Sequence, residues 1–140
     1  MVIHTNKKVK LKTIHKMMDL PENLKNEIKL FWQEQVKDNP NLFNGETWNV
    51  TKMEELEDTI LFTIEKTDYA HYIYDERHGI EPQYTCHNIS GGVYLVTKDG
   101  YGVVGELDNS TSFPMCLQVS GGGIDKKDIV DNEFDIVKTR

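Results

Sequence analysis

The sequence predicts an α+β fold in which an amphipathic N-terminal helix packs on a small antiparallel sheet and further strands follow. Apolar residues recur at helical spacing between positions 20 and 38. Beyond position 46, short runs rich in Val, Ile, Thr and aromatic residues alternate with turn residues. The 140 residues suffice for one domain, or for a small domain joined to part of a second.

The composition is that of a water-soluble globular protein, with 38% hydrophobic and 28% charged residues. No apolar run approaches the ~20 residues that a membrane helix needs, so we expect no membrane association. Lysines interrupt positions 1–20 throughout, unlike the apolar core of a secretory signal. The two cysteines, Cys86 and Cys116, make no disulfide framework, which predicts a cytoplasmic protein with reduced thiols.

Charge is unevenly distributed along the chain. The net charge is −7, yet residues 1–40 carry eight lysines against five acidic side chains, a balance of +3. The remaining 100 residues therefore carry −10. Because an acidic body repels a phosphate backbone, we expect no nucleic-acid partner.

The first helix is predicted to begin near Asp19, which offers an N-cap, with Pro21 in the first turn. Asn39-Pro40 ends it, since the proline ring clashes with a continuing turn. The helix is therefore about 17 residues long. The residues of its apolar stripe are Leu24, Ile28, Phe31, Trp32, Gln35 and Val36.

Strands are predicted on both sides of this helix. Val9 and Leu11 alternate with lysines, which indicates a short edge strand or an extended arm. Trp48 begins a second strand, residues 54–58 form an acidic turn, and residues 59–64 return as the partner strand of a hairpin.

An aromatic segment follows at residues 67–77, where Thr67 or Asp68 could cap a short helix. Its tyrosines could form a stacking platform for a ring, although packing in the core and at its rim is the more common role of such clusters. Residues 79–84 then form a linker. We therefore place a domain boundary there, between an α+β module at 1–85 and a second unit at 86–140.

The second unit differs from the first in composition, since eight of the ten glycines lie after position 90. A strand at 89–96, a tight Asp-Gly turn at 98–101 and a returning strand at 101–107 form a predicted hairpin. After a polar loop, a third strand at 115–119 runs directly into Ser120-Gly121-Gly122-Gly123-Ile124-Asp125.

This order of hairpin, strand, glycines and apolar-acidic pair resembles the opening half of a Nudix hydrolase domain. The resemblance covers about residues 86–140 and rests on His87–Leu107 and Leu117–Asp125. In that family the glycines open the signature G-x5-E-x7-R-E-U-x-E-E-x-G-U, with U apolar. Segments 41–46, 67–72 and 75–77 also resemble a module that precedes the Nudix domain in some bacterial members.

The resemblance implies metal-assisted attack of water on a diphosphate in a nucleoside diphosphate-linked substrate, with Mg²⁺ or Mn²⁺ as cofactor. Gly121 would offer its carbonyl to the metal, and Gly122, Gly123 and Asp125 would complete the loop. Apart from the resemblance, Tyr69, Tyr72 or Trp48 could stack on the base of such a substrate, because their rings are large and flat.

The match departs from the signature at two places. If Gly122 is its first glycine, the expected glutamate position holds Asp128; an insertion of five residues would put Glu133 there instead. Phe134 onward would then begin a helix, with Ile136 and Val137 on its buried side. Counting seven residues beyond Glu133 reaches Arg140, so the metal-binding glutamates are absent from this chain.

Two functions follow from this. The first is a Nudix hydrolase of which this chain is an incomplete form, inactive alone. The second is a catalytically silent Nudix-like module that binds a nucleotide or another protein. In either case the partial sheet would expose an apolar face and an unpaired edge, which predicts a homodimer or a rearranged fold.

Other readings of the reactive residues are weaker. The acidic residues between 125 and 135 lack the order of a calcium-binding hand, which favours a solvated acidic loop. Cys86 with His71 or His87 could form a Cys–His nucleophile, but no third group at a recognised spacing would orient the histidine. The same three residues with Cys116 could form a four-ligand zinc site, but the short paired spacing of structural zinc ligands is absent. No Gly-Lys-Ser/Thr follows the glycines, which excludes a P-loop.

Overall fold

The computed structural model describes residues 4–131 and 133–135 and confirms the α+β class. Its helices are α1 (Glu22–Asp38) and α2 (Tyr69–His78), and two single 3₁₀ turns follow α2 at Pro82–Tyr84 and Lys126–Asp128. The strands of the described residues are β1 (Lys8–Met17), β2 (Glu46–Glu55), β3 (Thr59–Asp68), β4 (Ser90–Val93), β5 (Leu95–Val96), β6 (Gly102–Val103), β7 (Gly105–Glu106), β8 (Leu117–Gln118), β9 (Ser120–Gly123), β10 (Ile129–Val130) and β11 (Glu133–Asp135).

The largest sheet has the strand order β10-β11-β1-β3-β2. Strands β2 and β3 form the predicted antiparallel hairpin, with Leu56 N–H donating to Thr59 O across the turn. The pairing of β1 with β3 is parallel, which the sequence did not predict. Because α1 and β2 lie between them in the chain, they supply the crossover that a parallel pair requires.

Strand β1 is an interior strand rather than the edge strand or free arm predicted for it. Strand β3 covers one of its edges and β11 the other, with Leu11 opposite Phe134. The alternation of its side chains is as predicted: Leu11 and Thr13 are buried, whereas Lys8 and Lys12 are exposed. The C-terminal part of the described chain is therefore built into the N-terminal sheet.

The core of this sheet contains residues that are distant in the sequence. Leu11, Trp48, Ile64 and Ile124 form one buried cluster, and each is at most 6% exposed. Ile124 comes from beyond the predicted boundary at residue 85, so the two proposed units share a core here. The division into domains stays a prediction.

Helix α1 has the predicted length of 17 residues and the predicted end at Asp38, where Asn39 N–H donates to Gln35 O. It begins at Glu22 rather than near Asp19, because Pro21 occupies the N-cap position and no side chain caps the helix. Leu24 and Ile28 are buried, and the rest of the predicted stripe is half-buried. The stripe was therefore assigned correctly.

Helix α2 begins at one of the two predicted caps. The Asp68 carboxylate accepts a hydrogen bond from His71 N–H at 2.9 Å. The helix ends at Gly79, whose φ of 66° lies in the left-handed region that favours glycine. A second core cluster, of Leu24, Ile28 and Ala70, joins the two helices.

Residues 90–123 form three short two-stranded ladders that meet at a junction. The stem pairs β4 with β9, one arm pairs β5 with β6, and the other pairs β7 with β8. The predicted Asp-Gly turn closes the first arm, with Gly100 at a φ of 90°. The loop of the second arm contacts the helices, since Arg77 Nη2 donates to Ser112 O at 3.0 Å and Asn39 Nδ2 to Asn109 O at 3.0 Å.

Neither helix of the described residues is both long enough and apolar enough to cross a membrane.

Candidate functional site

The glycine segment that carries the resemblance lies in a strand rather than in an open loop. Gly121 and Gly122 are paired with Gly92 and Gly91 in the ladder of β9 with β4. A Cβ atom on Gly121 would lie 2.5 Å from the carbonyl oxygen of Gly91 and 2.8 Å from Cα of Gly92. Glycine is therefore required at position 121 by the close approach of two backbones. The predicted loop begins only after Gly123.

Ile124 anchors the end of this strand in the main core. Its side chain is 6% exposed, and its carbonyl oxygen accepts a hydrogen bond from Trp48 Nε1 at 3.0 Å. Trp48 itself is 2% exposed, so neither face of its ring is open to a ligand. The base-stacking role predicted for Trp48 does not fit this position, because the ring fills the core instead.

Asp125 acts as a helix cap immediately after Ile124. Its carboxylate accepts from Lys127 N–H at 3.2 Å, and Asp128 accepts from Asp125 N–H at 3.2 Å, which completes a capping box. Lys127 Nζ lies 3.2 Å from the other carboxylate oxygen of Asp125. The hydrogen bond from Lys127 N–H is the main reason that the pKa of Asp125 is lowered.

These carboxylates are thus used to order a turn. Among residues 4–131, whose side chains the structure describes, no group of three His, Cys, Asp or Glu side chains could hold a metal ion. The described residues therefore do not fit the Mg²⁺ or Mn²⁺ site that the resemblance implies, with Gly121 inside a strand ladder and Asp125 occupied as a cap.

Residues 133–135 differ from the predicted start of a helix. They form β11, in which Phe134 pairs with Ile129 of β10 and Leu11 of β1. Asp131, at a φ of 51°, lies in the turn between β10 and β11. Of Glu133 the structure describes the backbone, which pairs with Lys12. The predictions for Ile136, Val137 and Arg140 lie outside the described residues.

The other two predicted stacking residues lie together on α2. The ring centroids of Tyr69 and Tyr72 are 5.9 Å apart, and Tyr69 also meets Trp32 edge-on at 5.9 Å. Tyr72 is half-buried, and this burial is the main reason that its pKa is raised. Both tyrosines pack against neighbouring aromatic rings, and a stacking role for them stays a prediction.

His71 and Cys86, on either side of the linker, have structural roles. His71 is fully buried, with Thr67 Oγ1 2.7 Å from Nδ1 and the Tyr84 carbonyl 2.8 Å from Nε2. Because a carbonyl only accepts, Nε2 carries the hydrogen. Burial raises the pKa of Cys86 to about 12, with Asp75 as the next cause, so the group is a neutral thiol rather than a nucleophile.

Sequence reasoning missed a set of asparagines that join the two predicted units. Asn49 is 4% exposed, accepts from His87 N–H at 2.8 Å and donates to Glu65 Oε1 at 3.0 Å. Asn88 accepts from Thr47 Oγ1 at 2.9 Å. No local pattern marks these residues, because their partners are 16 to 41 positions away in the chain.

Comparison with known proteins returned no matching family model and no matching curated protein.

Proposed function

We propose that this chain comprises the N-terminal module and the opening strands of a Nudix-type domain. The complete domain would hydrolyse a diphosphate in a nucleoside diphosphate-linked small molecule. The observation that supports this most is the β4–β9 stem, where two glycine pairs run antiparallel and lead directly into the buried Ile124 and the acidic Asp125. With thiols in the reduced state, we expect a cytoplasmic location.

By itself the chain is expected to be inactive. The Asp125 and Asp128 carboxylates are engaged in a capping box, and the described residues contain no cluster able to hold a metal ion. Residues 41–140, which include the glycine segment, carry a net charge of −10 and would repel a diphosphate in the absence of a divalent cation. Dependence on Mg²⁺ or Mn²⁺ is therefore expected only of a longer form that carries the R-E-U-x-E-E helix.

A large apolar surface supports the idea that other polypeptide covers the junction. Nine large hydrophobic side chains between Val93 and Leu117 are 42–76% exposed. We call this set the junction face. Its members lie on both sides of the two arms, because successive residues of a strand point to opposite sides of the ladder. A second copy of the chain is the occupant we expect when no other polypeptide is present.

The test is an assay of phosphate or nucleotide release from ADP-ribose, UDP-sugars and nucleoside triphosphates with Mg²⁺. This chain would be compared with a longer form that continues into the R-E-U-x-E-E helix. We expect turnover by the longer form alone. Metal-dependent turnover by the 140-residue chain would contradict its predicted inactivity, and an inactive but folded longer form would contradict the hydrolase proposal.

The alternative is a silent module that binds a nucleotide or a protein without chemistry. The absence of a metal-binding cluster from the described residues favours it. Calorimetric titration with ADP-ribose in EDTA distinguishes the two functions. Tight binding by both forms, without turnover by the longer one, would support the silent module.

A further inference from the structure

A cavity of about 280 Å³ lies between helices α1 and α2. Its apolar lining comes from Leu20, Ile28 and Ala70, of which Ile28 is 5% and Ala70 2% exposed. The lining contains no residue of the segment 86–135. Any ligand of this cavity is therefore independent of the proposed Nudix loop.

Four hydrogen-bond donors surround this apolar floor. Lys25, Lys29 and Gln33 line the cavity at intervals of four residues along α1, which places them in one row. Asn44 contributes the fourth donor from the loop before β2. Its Oδ1 accepts from Ala70 N–H at 2.8 Å, which assigns the amide orientation and leaves its NH₂ group to donate elsewhere.

The charges of the lining are positive on balance in a protein whose net charge is −7. Lys29 has no ion pair within the described residues. Lys25 pairs with Glu22 at 2.7 Å, but both side chains are exposed and such pairs exchange readily. The one acidic lining residue, Asp68, caps α2, where the helix dipole and the His71 N–H compensate its charge.

The His71 ring and the backbone N–H groups at the start of α2 are not available to a ligand of this cavity. Both ring nitrogens of His71 are occupied, by Thr67 and the Tyr84 carbonyl. The first N–H groups of α2 are also bonded, Tyr69 to Gly45 O and Ala70 to Asn44. A ligand would therefore be held by side chains of α1 and by Asn44, and not by the end of α2.

Trp32 adds a flat apolar wall to this arrangement. Its ring is half-buried and is fixed edge-on against Tyr69, with an interplanar angle of 84°. Cationic and amide donors beside an indole suit an acceptor-rich group attached to a ring. We propose that this cavity binds a small organic anion, in which a phosphate or carboxylate group contacts Lys29 and Asn44 and a planar ring packs against Trp32.

The experiment titrates phenyl phosphate into the ¹⁵N-labelled chain and follows the indole N–H signal of Trp32, which is assigned by its loss in Trp32→Phe. We expect saturable shifts with a Kd on the order of 1 mM. Inorganic phosphate and phenol test each half of the ligand separately, and each should bind at least about 10-fold more weakly. Benzoate tests whether a carboxylate replaces the phosphate, and saturable binding of either ring-bearing anion supports the proposal.

Two substitutions distinguish binding in this cavity from non-specific attraction of anions to the lysines of α1. Asn44→Asp keeps the oxygen that accepts from Ala70 N–H but replaces the donor NH₂ with a negative charge, so it should weaken binding by about 10-fold or more. Lys29→Gln should weaken it by about 5-fold. Lys37→Gln is the matched control, because Lys37 lies on the same helix outside the cavity, and its effect should stay below about 2-fold.

Three results would overturn the proposal. The first is the absence of a saturable shift of the Trp32 signal with both phenyl phosphate and benzoate. The second is an equal effect of Lys29→Gln and Lys37→Gln, which would indicate charge alone. The third is equal binding of inorganic phosphate and phenyl phosphate, which would show that the ring makes no contact with Trp32.

Discussion

Trp48 is the residue that ties the glycine strand to the N-terminal sheet, through its bond to the Ile124 carbonyl. Trp48→Phe keeps an aromatic ring but leaves that buried carbonyl without its donor. We expect a loss of about 1–3 kcal/mol in the free energy of unfolding, measured by urea denaturation. Trp32→Phe, at a half-buried ring, should cost less. Equal losses would show that the Trp48 bond does not stabilise the fold.

Cys86 gives a second residue-scale prediction, this time in pH. Its pKa is raised by burial from 9.0 to about 12, so the folded protein retains a proton that the unfolded chain releases. Its contribution to stability is thus complete below pH 9 and is lost as the pH rises from about 9 to about 12. Cys86→Ala should therefore show a shallower loss of stability between pH 8 and pH 11 than the wild type. Parallel curves would contradict the raised pKa.

The β4–β9 ladder allows a matched pair of glycine substitutions at the scale of a structural element. In Gly121→Ala the new methyl group meets backbone atoms of Gly91 and Gly92, which cannot move without breaking the ladder. We expect a loss of about 1–3 kcal/mol in the free energy of unfolding. Gly122→Ala meets no atom within 4 Å and should be close to neutral.

Urea denaturation of both variants, with hydrogen exchange of residues 90–93, measures this difference. A destabilised Gly121→Ala with faster exchange in β4 is the expected result. If the two alanines behaved alike, the close approach of the two strands would be refuted.

The elements that the sequence predicted correctly are those specified by neighbouring residues. The spacing of Leu24 and Ile28 and the break at Asn39 define α1, and Asp68 defines the start of α2. The parallel pairing of β1 depends on β3, about 50 residues away, and no local pattern encodes it. The helix predicted to begin at Phe134 rested on the resemblance to the Nudix signature, which continues into a helix. The backbone of Phe134 instead pairs with the edge of β1, about 120 positions earlier in the chain.

The candidate site was predicted less well for a related reason. The glycines were recognised from their order, but whether Gly121 lies in a loop or a ladder depends on Gly91 and Gly92, 29 or more positions earlier. Similarly, the local sequence around Trp48 does not distinguish a tryptophan in the core from one in a ligand pocket. Its burial follows from Leu11, Ile64 and Ile124, which meet only in the folded chain.

At the scale of the whole molecule, the junction face leads to a prediction about assembly. A standard interface buries ~800 Å² on each partner, and the exposed apolar side chains of the two arms are candidates for such a contact. Since each copy carries a charge of −7, copies repel one another at long range, and salt screens this repulsion. We therefore expect a dimer whose association strengthens as ionic strength rises.

Sedimentation equilibrium tests this assembly, with one substitution on the face and one outside it. Leu95 lies in β5 opposite Val103 of β6 and is 51% exposed, so Leu95→Lys would bury an unpaired charge in the dimer. We expect it to weaken association by at least about 10-fold. Leu30→Lys introduces the same charge at a 63% exposed position of α1 and should leave the dimer intact. A wild-type chain that sediments as a compact monomer at high salt would contradict the prediction, because the junction face would then be stable in water without a partner.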